Sequence, residues 1–409
     1  MISNEPIGII EFGSVKIKCI IFKMNNNIPE ILSTSLINSE GIHNGVVINL
    51  SKATAIVRSC ISTAEKKAEV SLKIISVVVE QPEFLSTTLS KNRKINGSKI
   101  HKDDIIFLLK EAKKQVLLND STHSIIHIFN HNYIVDGKTF AEEPIDVYAN
   151  YLSHEMTFIT MPKNNIKNIN QVFIDCDIKV DRFISTTFAL GIQLLNYNDL
   201  KFGSILIDIG FEKTSLGLFK NLSLINSMTF PIGVNHIIKD VAKVCLLTLE
   251  ESKTIIQKID FSFLDNTKIF DRNELLIDSH FKKTNFRKIS KTLLLNVIQD
   301  RQNEILETLK KQIVLSGFDP ELGNNLYITG GGSKLTNLLK YCSIFFKTDV
   351  KQVEKKNIKE FVALEDDFMG CFGALTLIKD GWETEAIPVP SKNDSDKNSF
   401  FARIFKNLT

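Results

Sequence analysis

The 409-residue sequence has no Cys-x-x-Cys pair. Its six cysteines (Cys19, Cys60, Cys176, Cys245, Cys342 and Cys371) are scattered, most of them in apolar runs. This leaves no paired-cysteine motif and fits small buried hydrophobes in a reducing compartment. No apolar run is as long as a membrane span. Glu5 and Glu11 interrupt the stretch where a signal peptide would need a continuous apolar core, so a cytoplasmic protein is expected. Charge of one sign is also scarce, with 50 Lys and Arg against 47 Asp and Glu and a net charge of +3. That balance argues against a nucleic-acid partner. The basic clusters at Lys91 to Lys94 and at Lys355-Lys356 lack interleaved aromatics and read as solvated faces. A hydrophobic fraction of 43% and a charged fraction of 24% describe a globular chain long enough for two or more domains.

Three glycine-bearing turns stand out. Ile7, Ile9 and Ile10 lead into Glu11-Phe12-Gly13-Ser14-Val15-Lys16, and Ile17 to Phe22 run back, which predicts a hairpin turning at Gly13 and Ser14. Such a turn offers backbone N–H groups, a hydroxyl and Lys16 to a phosphate, with Glu11 beside it for the water shell of a metal. The pattern repeats about one domain later: Ile205 to Gly210 enters a turn at Phe211-Glu212-Lys213-Thr214, and Leu216 to Phe219 leave it. In both copies an acidic residue, Glu11 or Asp208, stands two positions before a glycine. The third turn follows the apolar run Leu326-Tyr327-Ile328-Thr329, where Gly330, Gly331, Gly332 and Ser333 precede a helix start, so bare backbone and a positive helix end can face a ligand. Each turn alone is also compatible with plain connection. The duplication predicts two similar lobes facing a cleft at which the three turns meet.

These residues resemble the actin-like ATPase superfamily and, within it, the FtsA cell-division family. The first phosphate loop of that family reads D/E-I-G-T/S, here Glu11-Phe12-Gly13-Ser14, and its adenosine loop reads T-G-G-x-x, here Thr329 to Ser333. Phe230 to His236 followed by Lys239-Asp240-Val241-Ala242 is similar to its G-N-x-x-T-x-D-I-A helix entry, and Cys176 to Asp181 to its C-G-L-x-V segment. The second phosphate loop departs from D-I-G-G-G-T-T/M-D, because Phe211 and Glu212 follow Gly210. The resemblance implies ATP, with Mg2+, and little or no hydrolysis; a carboxylate at Glu212 repels a polyphosphate, so the degenerate loop is expected to weaken affinity, with Lys213 offsetting part of this.

The resemblance implies an α/β, actin-like two-lobed fold of duplicated ribonuclease-H-like lobes. Subdomain 1A spans 1–80 with 162–200 and 346–381, and a 1C insertion spans 81–161. Subdomain 2A spans 201–238 with 301–345, and 2B spans 239–300. It assigns cofactor binding to Gly13, Ser14, Lys16, Asp208, Gly210, Gly330, Gly331, Gly332 and Ser333, with no catalytic residue and no protein metal site. The implied role is a division protein that polymerises on the cytoplasmic face of the membrane at the division site. The C-terminal peptide of FtsZ would dock on 2B, and other division proteins would join. An actin-superfamily kinase or phosphatase and a pilus-assembly scaffold stay open as alternatives. His123, His127 and His131 are evenly spaced in strand-like text, which puts neighbours roughly 13 Å apart, too far to chelate one ion together.

The last residues carry their own signal. A polar linker at 382–398 precedes 399–409, where Phe400, Phe401, Ile404, Phe405 and Leu408 fall within an arc of about 140° at helical spacing, with Arg403 and Lys406 opposite. This predicts a C-terminal amphipathic helix lying on anionic lipid. Docking on the core of the protein itself is the other reading.

Overall fold

The computed structural model describes residues 5–25, 28–258, 289–322, 324–335, 338–352 and 366–379. The linker 382–398, the tail 399–409 and part of the expected 2B lie outside these. The described residues belong to two compact units. One takes its chain from Met1–Gly203, Gly217–Thr229 and Glu354–Thr409, and the other from Ser204–Leu216 and Phe230–Val353.

The first unit opens with the expected hairpin. Strands β1 (Ile7–Phe12) and β2 (Lys16–Asn25) pair antiparallel, with Phe12 opposite Ile17 and Glu11 opposite Lys18. β3 (Ile28–Asn38) joins the far edge of β2. Two short strands follow, β4 (Ile42–His43) and β5 (Val46–Val47). Helix α1 (Leu50–Ala68) starts where the Asn49 side chain accepts the Lys52 N–H, and buries Ala53, Val57, Cys60, Ile61 and Ala64 at helical spacing. β6 (Ile74–Val79) runs parallel to β1.

An insert follows. It comprises β7 (Leu85–Lys99), α2 (Lys102–Asn119), β8 (His123–Val135), β9 (Lys138–Phe140) and β10 (Tyr148–Pro162). Its strands form an antiparallel sheet in the order β7-β10-β8-β9. Apolar residues of α2 pack on this sheet in two clusters, one around Ile105, Leu108, Tyr133 and Leu152, the other around Leu109, Ala112, Met156 and Phe158. The main sheet then resumes through α3 (Lys163–Ile174) and β11 (Lys179–Ser185), giving the order β11-β6-β1-β2-β3. Helices α4 (Thr186–Leu194) and α5 (Tyr197–Phe202) come next.

A second five-stranded sheet, ordered β14-β13-β12-β15-β16, is built from β12 (Ser204–Ile209), β13 (Thr214–Lys220), β14 (Ser223–Phe230), β15 (Asn325–Thr329) and β16 (Val350–Gln352). Between β14 and β15 come α6 (Val234–Cys245), α7 (Leu249–Lys258) and α8 (Lys291–Leu315). Thr248 and Glu251 form a capping box: the Glu251 carboxylate accepts from the Thr248 N–H at 2.9 Å, and the Thr248 hydroxyl accepts from the Glu251 N–H at 3.2 Å. Arg301 on α8 donates to Asp240 on α6 at 2.6 Å. Helix α9 (Leu338–Phe346) precedes β16.

The last described helix, α10 (Met369–Lys379), returns to the first unit and packs on α4. A Cβ at Gly373 would overlap the Ala189 carbonyl oxygen. The helices therefore touch backbone to backbone, which Gly370, Gly373 and Ala374 allow. Gly373→Ala is expected to destabilise the protein by about 2–3 kcal/mol through overpacking, read as a lower denaturation midpoint. An unchanged midpoint would refute that contact.

Candidate functional site

In the first unit the Gly13-Ser14 turn joins β1 to β2, and a Cβ on Gly13 would overlap the Lys16 carbonyl oxygen, so only glycine fits there. Lys16 Nζ lies 2.9 Å from Asp367 Oδ2, a half-exposed pair joining residues 351 apart in sequence. Glu11 is buried, and its Oε1 accepts from Lys18 Nζ at 2.8 Å. Its Oε2 faces α10: Cys371 Sγ is 3.8 Å away, and a Cβ on Gly370 would come within 2.8 Å. Burial first, then the Glu11 charge, pushes the Cys371 thiol well above its ordinary range, so it stays protonated and able to donate.

The second unit brings Asp208, Gly210 and the 330–333 loop together. Asp208 is opposite Thr329 where β12 and β15 run parallel. Gly330 has φ +91°, and a Cβ there would overlap Asp208 Oδ1. A Cβ on Gly332 would lie 2.5 Å from Ile209 Cγ2 and 2.8 Å from Val234 Cγ2. Both glycines are thus required by the protein itself. Gly331 is different: it is exposed, with nothing within 4 Å of where a Cβ would stand. Ser333 closes the turn, its hydroxyl donating to the Gly330 carbonyl at 2.7 Å.

The divergent loop after Gly210 is tightly held. The Gly210 N–H donates to Lys213 O at 2.9 Å, and the first N–H groups of α6, from Val234 and Asn235, donate to the carbonyls of Gly210 at 3.2 Å and Phe211 at 2.8 Å. Asn235 Nδ2 also donates to Glu212 Oε1 at 2.8 Å, and Lys253 Nζ sits 5.9 Å from the centroid of the Phe211 ring. Glu212 is therefore fixed in place by the start of α6.

Gly13, Ser14 and Lys16 thus lie together in one unit, and Asp208, Gly210 and Gly330 to Ser333 in the other. The tail residues Phe400, Phe401, Arg403, Ile404, Phe405, Lys406 and Leu408 lie outside the described residues. The evenly spaced histidines have separate surroundings. His123 Nδ1 pairs with Asp120 at 2.6 Å, His127 Nε2 accepts the Ser185 N–H at 2.8 Å, and His131 is buried. Lys18, Asp367, Gly370 and Cys371 were missed as parts of the first loop's surroundings. Alternation along the hairpin did carry a signal for Lys18, since it sets Lys18 beside Glu11.

Residues 84–160, nearly the whole insert, match the family model described as the SHS2 domain inserted in FtsA. Proteins named cell division protein FtsA align with most of the chain. That of Agrobacterium fabrum is 22% identical over 346 residues, covering 82% of this chain and 78% of that one, and that of Bacillus subtilis is 21% identical, covering 86% and 79%. The chain is similar to the FtsA proteins along most of its length. Its fold is actin-like. It superposes on a PilM-PilN type IV pilus biogenesis complex with a TM-score of 0.62 at 10% identity, covering 91% of this chain and 98% of that one. It superposes on MreB5 of Spiroplasma citri bound to ADP with a TM-score of 0.54 at 12% identity, covering 92% and 98%. At such identities the likeness carries the fold alone.

Proposed function

We propose that this FtsA relative is a cell-division scaffold that binds ATP, hydrolyses it slowly or not at all, assembles into filaments and links FtsZ filaments to the cytoplasmic membrane. The observation that carries this reading is the SHS2 match at 84–160 on a chain whose fold is otherwise actin-like. Nucleotide binding draws support from MreB5, solved with ADP and with AMPPNP, and from the bare backbone at Gly331. On this reading Asp208, Gly210 and Gly330 to Ser333 form the nucleotide loops of the second unit, and Gly13, Ser14 and Lys16 the phosphate loop of the first. Phe211 and the fixed carboxylate of Glu212 stand where phosphate transfer would need open backbone, which argues for a scaffold over a kinase or phosphatase. The pilus-scaffold alternative shares the fold, but the relatives that align with most of the chain are named as division proteins, which favours the division role.

The insert is the proposed self-association surface, and the tail 399–409 the proposed lipid contact, through Phe400, Phe401, Arg403, Ile404, Phe405, Lys406 and Leu408. The FtsZ peptide is assigned to 2B, where the corner of α6 and α7 exposes Val244 (48%), Leu246 (62%) and Leu249 (54%). Fluorescence anisotropy with an FtsZ C-terminal peptide should show saturable binding that Val244→Glu with Leu249→Glu removes. No binding at millimolar protein would overturn the tethering role.

A further inference from the structure

We propose that nucleotide binding by this chain needs no divalent cation at the first phosphate loop, because the Lys18 ammonium already stands where a cation's charge would be needed. The inference rests on the nucleotide-binding reading above and concerns how the site is neutralised.

A magnesium ion demands near-octahedral coordination at about 2.0–2.1 Å and keeps several waters, so a carboxylate that serves it needs open space in front of an oxygen. Glu11 does not fit that requirement. Its Oε1 is 2.8 Å from Lys18 Nζ, in a pair whose side chains are only 12% and 17% exposed. Its Oε2 is walled by α10, with Cys371 Sγ at 3.8 Å and room at Gly370 for no more than a hydrogen. Among the described residues no group of three or more His, Cys, Asp or Glu is placed to hold a metal.

The pairing is built into the strands and does not depend on a flexible surface contact. Glu11 and Lys18 are directly opposed in the β1–β2 register, so their Cβ atoms sit side by side whichever rotamers are adopted. Low exposure strengthens their mutual attraction relative to a surface pair. The consequence for an anion at the Gly13-Ser14 turn is direct. An unpaired Glu11 would repel it and call for a cation, whereas the paired Glu11 presents no net charge. Lys16, three residues beyond Gly13, is similarly balanced by Asp367.

Calorimetric titration of the full chain with ATP, in magnesium and then in EDTA, tests this. The expected result is affinity that changes by less than about threefold between the two. A loss of more than about tenfold in EDTA would overturn the proposal while leaving nucleotide binding intact. No binding in either buffer would overturn the nucleotide reading and the proposal with it. Lys18→Met should bind at least about tenfold more weakly than the parent in EDTA and recover in magnesium, because the freed carboxylate then has to be neutralised from solution. The double substitution Glu11→Gln with Lys18→Met removes both charges and should bind in EDTA like the parent. If it shares the magnesium requirement of Lys18→Met, the cation acts elsewhere and the proposal fails.

Discussion

Gly331→Val is expected to weaken nucleotide binding at least about a hundredfold while leaving the unfolding midpoint unchanged. Nothing lies within 4 Å of a Cβ at this position, so a side chain starts into open space, and the cost falls on the ligand that packs against the bare backbone. Gly332→Val is the counterpart. Its side chain would run into Ile209 and Val234, so it should lower the midpoint together with the binding. Isothermal titration and a thermal melt separate the two. Wild-type affinity in Gly331→Val would mean that the nucleotide does not use this loop.

The insert should come apart in mild acid. Burial holds His127 down at about 3, His131 at about 4 and His154 at about 3, all from an ordinary value near 6.5. The nearby His131 lowers His154 further, and His154 stacks on Tyr133 with ring centroids 4.3 Å apart. The folded protein keeps these rings neutral, whereas the unfolded chain takes up protons below pH 6.5. The associated stability is therefore complete above about pH 6.5 and is lost as pH falls toward 3. At pH 5 each histidine costs on the order of 2 kcal/mol, so three together rival the stability of a typical domain. Circular dichroism with denaturant across pH 4.5 to 7 should show the steep fall, and His154→Leu should make it shallower by about one proton. A flat profile would mean that protons reach these rings in the folded state.

Elements rich in apolar residues were legible in the sequence. The hairpin at 7–22 and β6 declare themselves by apolar runs, α1 by helical spacing and the capping box at Thr248 by a paired Thr and Glu. Strand β7 did not. At the edge of its sheet it presents Ser90, Asn92 and Lys94 to water, so a 15-residue strand carries few apolar residues to reveal it. The site divided in the same way. Glycines at turns are visible one by one, but which of them is structural depends on neighbours such as Asp208, Ile209 and Val234 that only the folded chain supplies. The partners of Glu11 and Lys16, Cys371 on α10 and Asp367 just before it, lie some 350 residues away, beyond the reach of any local pattern.

The return of α10 to the first unit also bears on the order in which the chain can acquire its structure during synthesis. Three separated stretches make up that unit, and the last of them, 366–379, supplies the backbone contact at Gly373 and the wall behind Glu11. A ribosome that has made residues 1–203 has made a sheet with one of its covering helices still to come. Contacts of such long sequence separation form slowly and late. The second unit takes its chain from 204–216 and 230–353, so all of it emerges before α10 does. The nascent first unit is therefore exposed to chaperones and to wrong partners while the whole second unit is made, and it is completed only when nearly all of the chain has been synthesised.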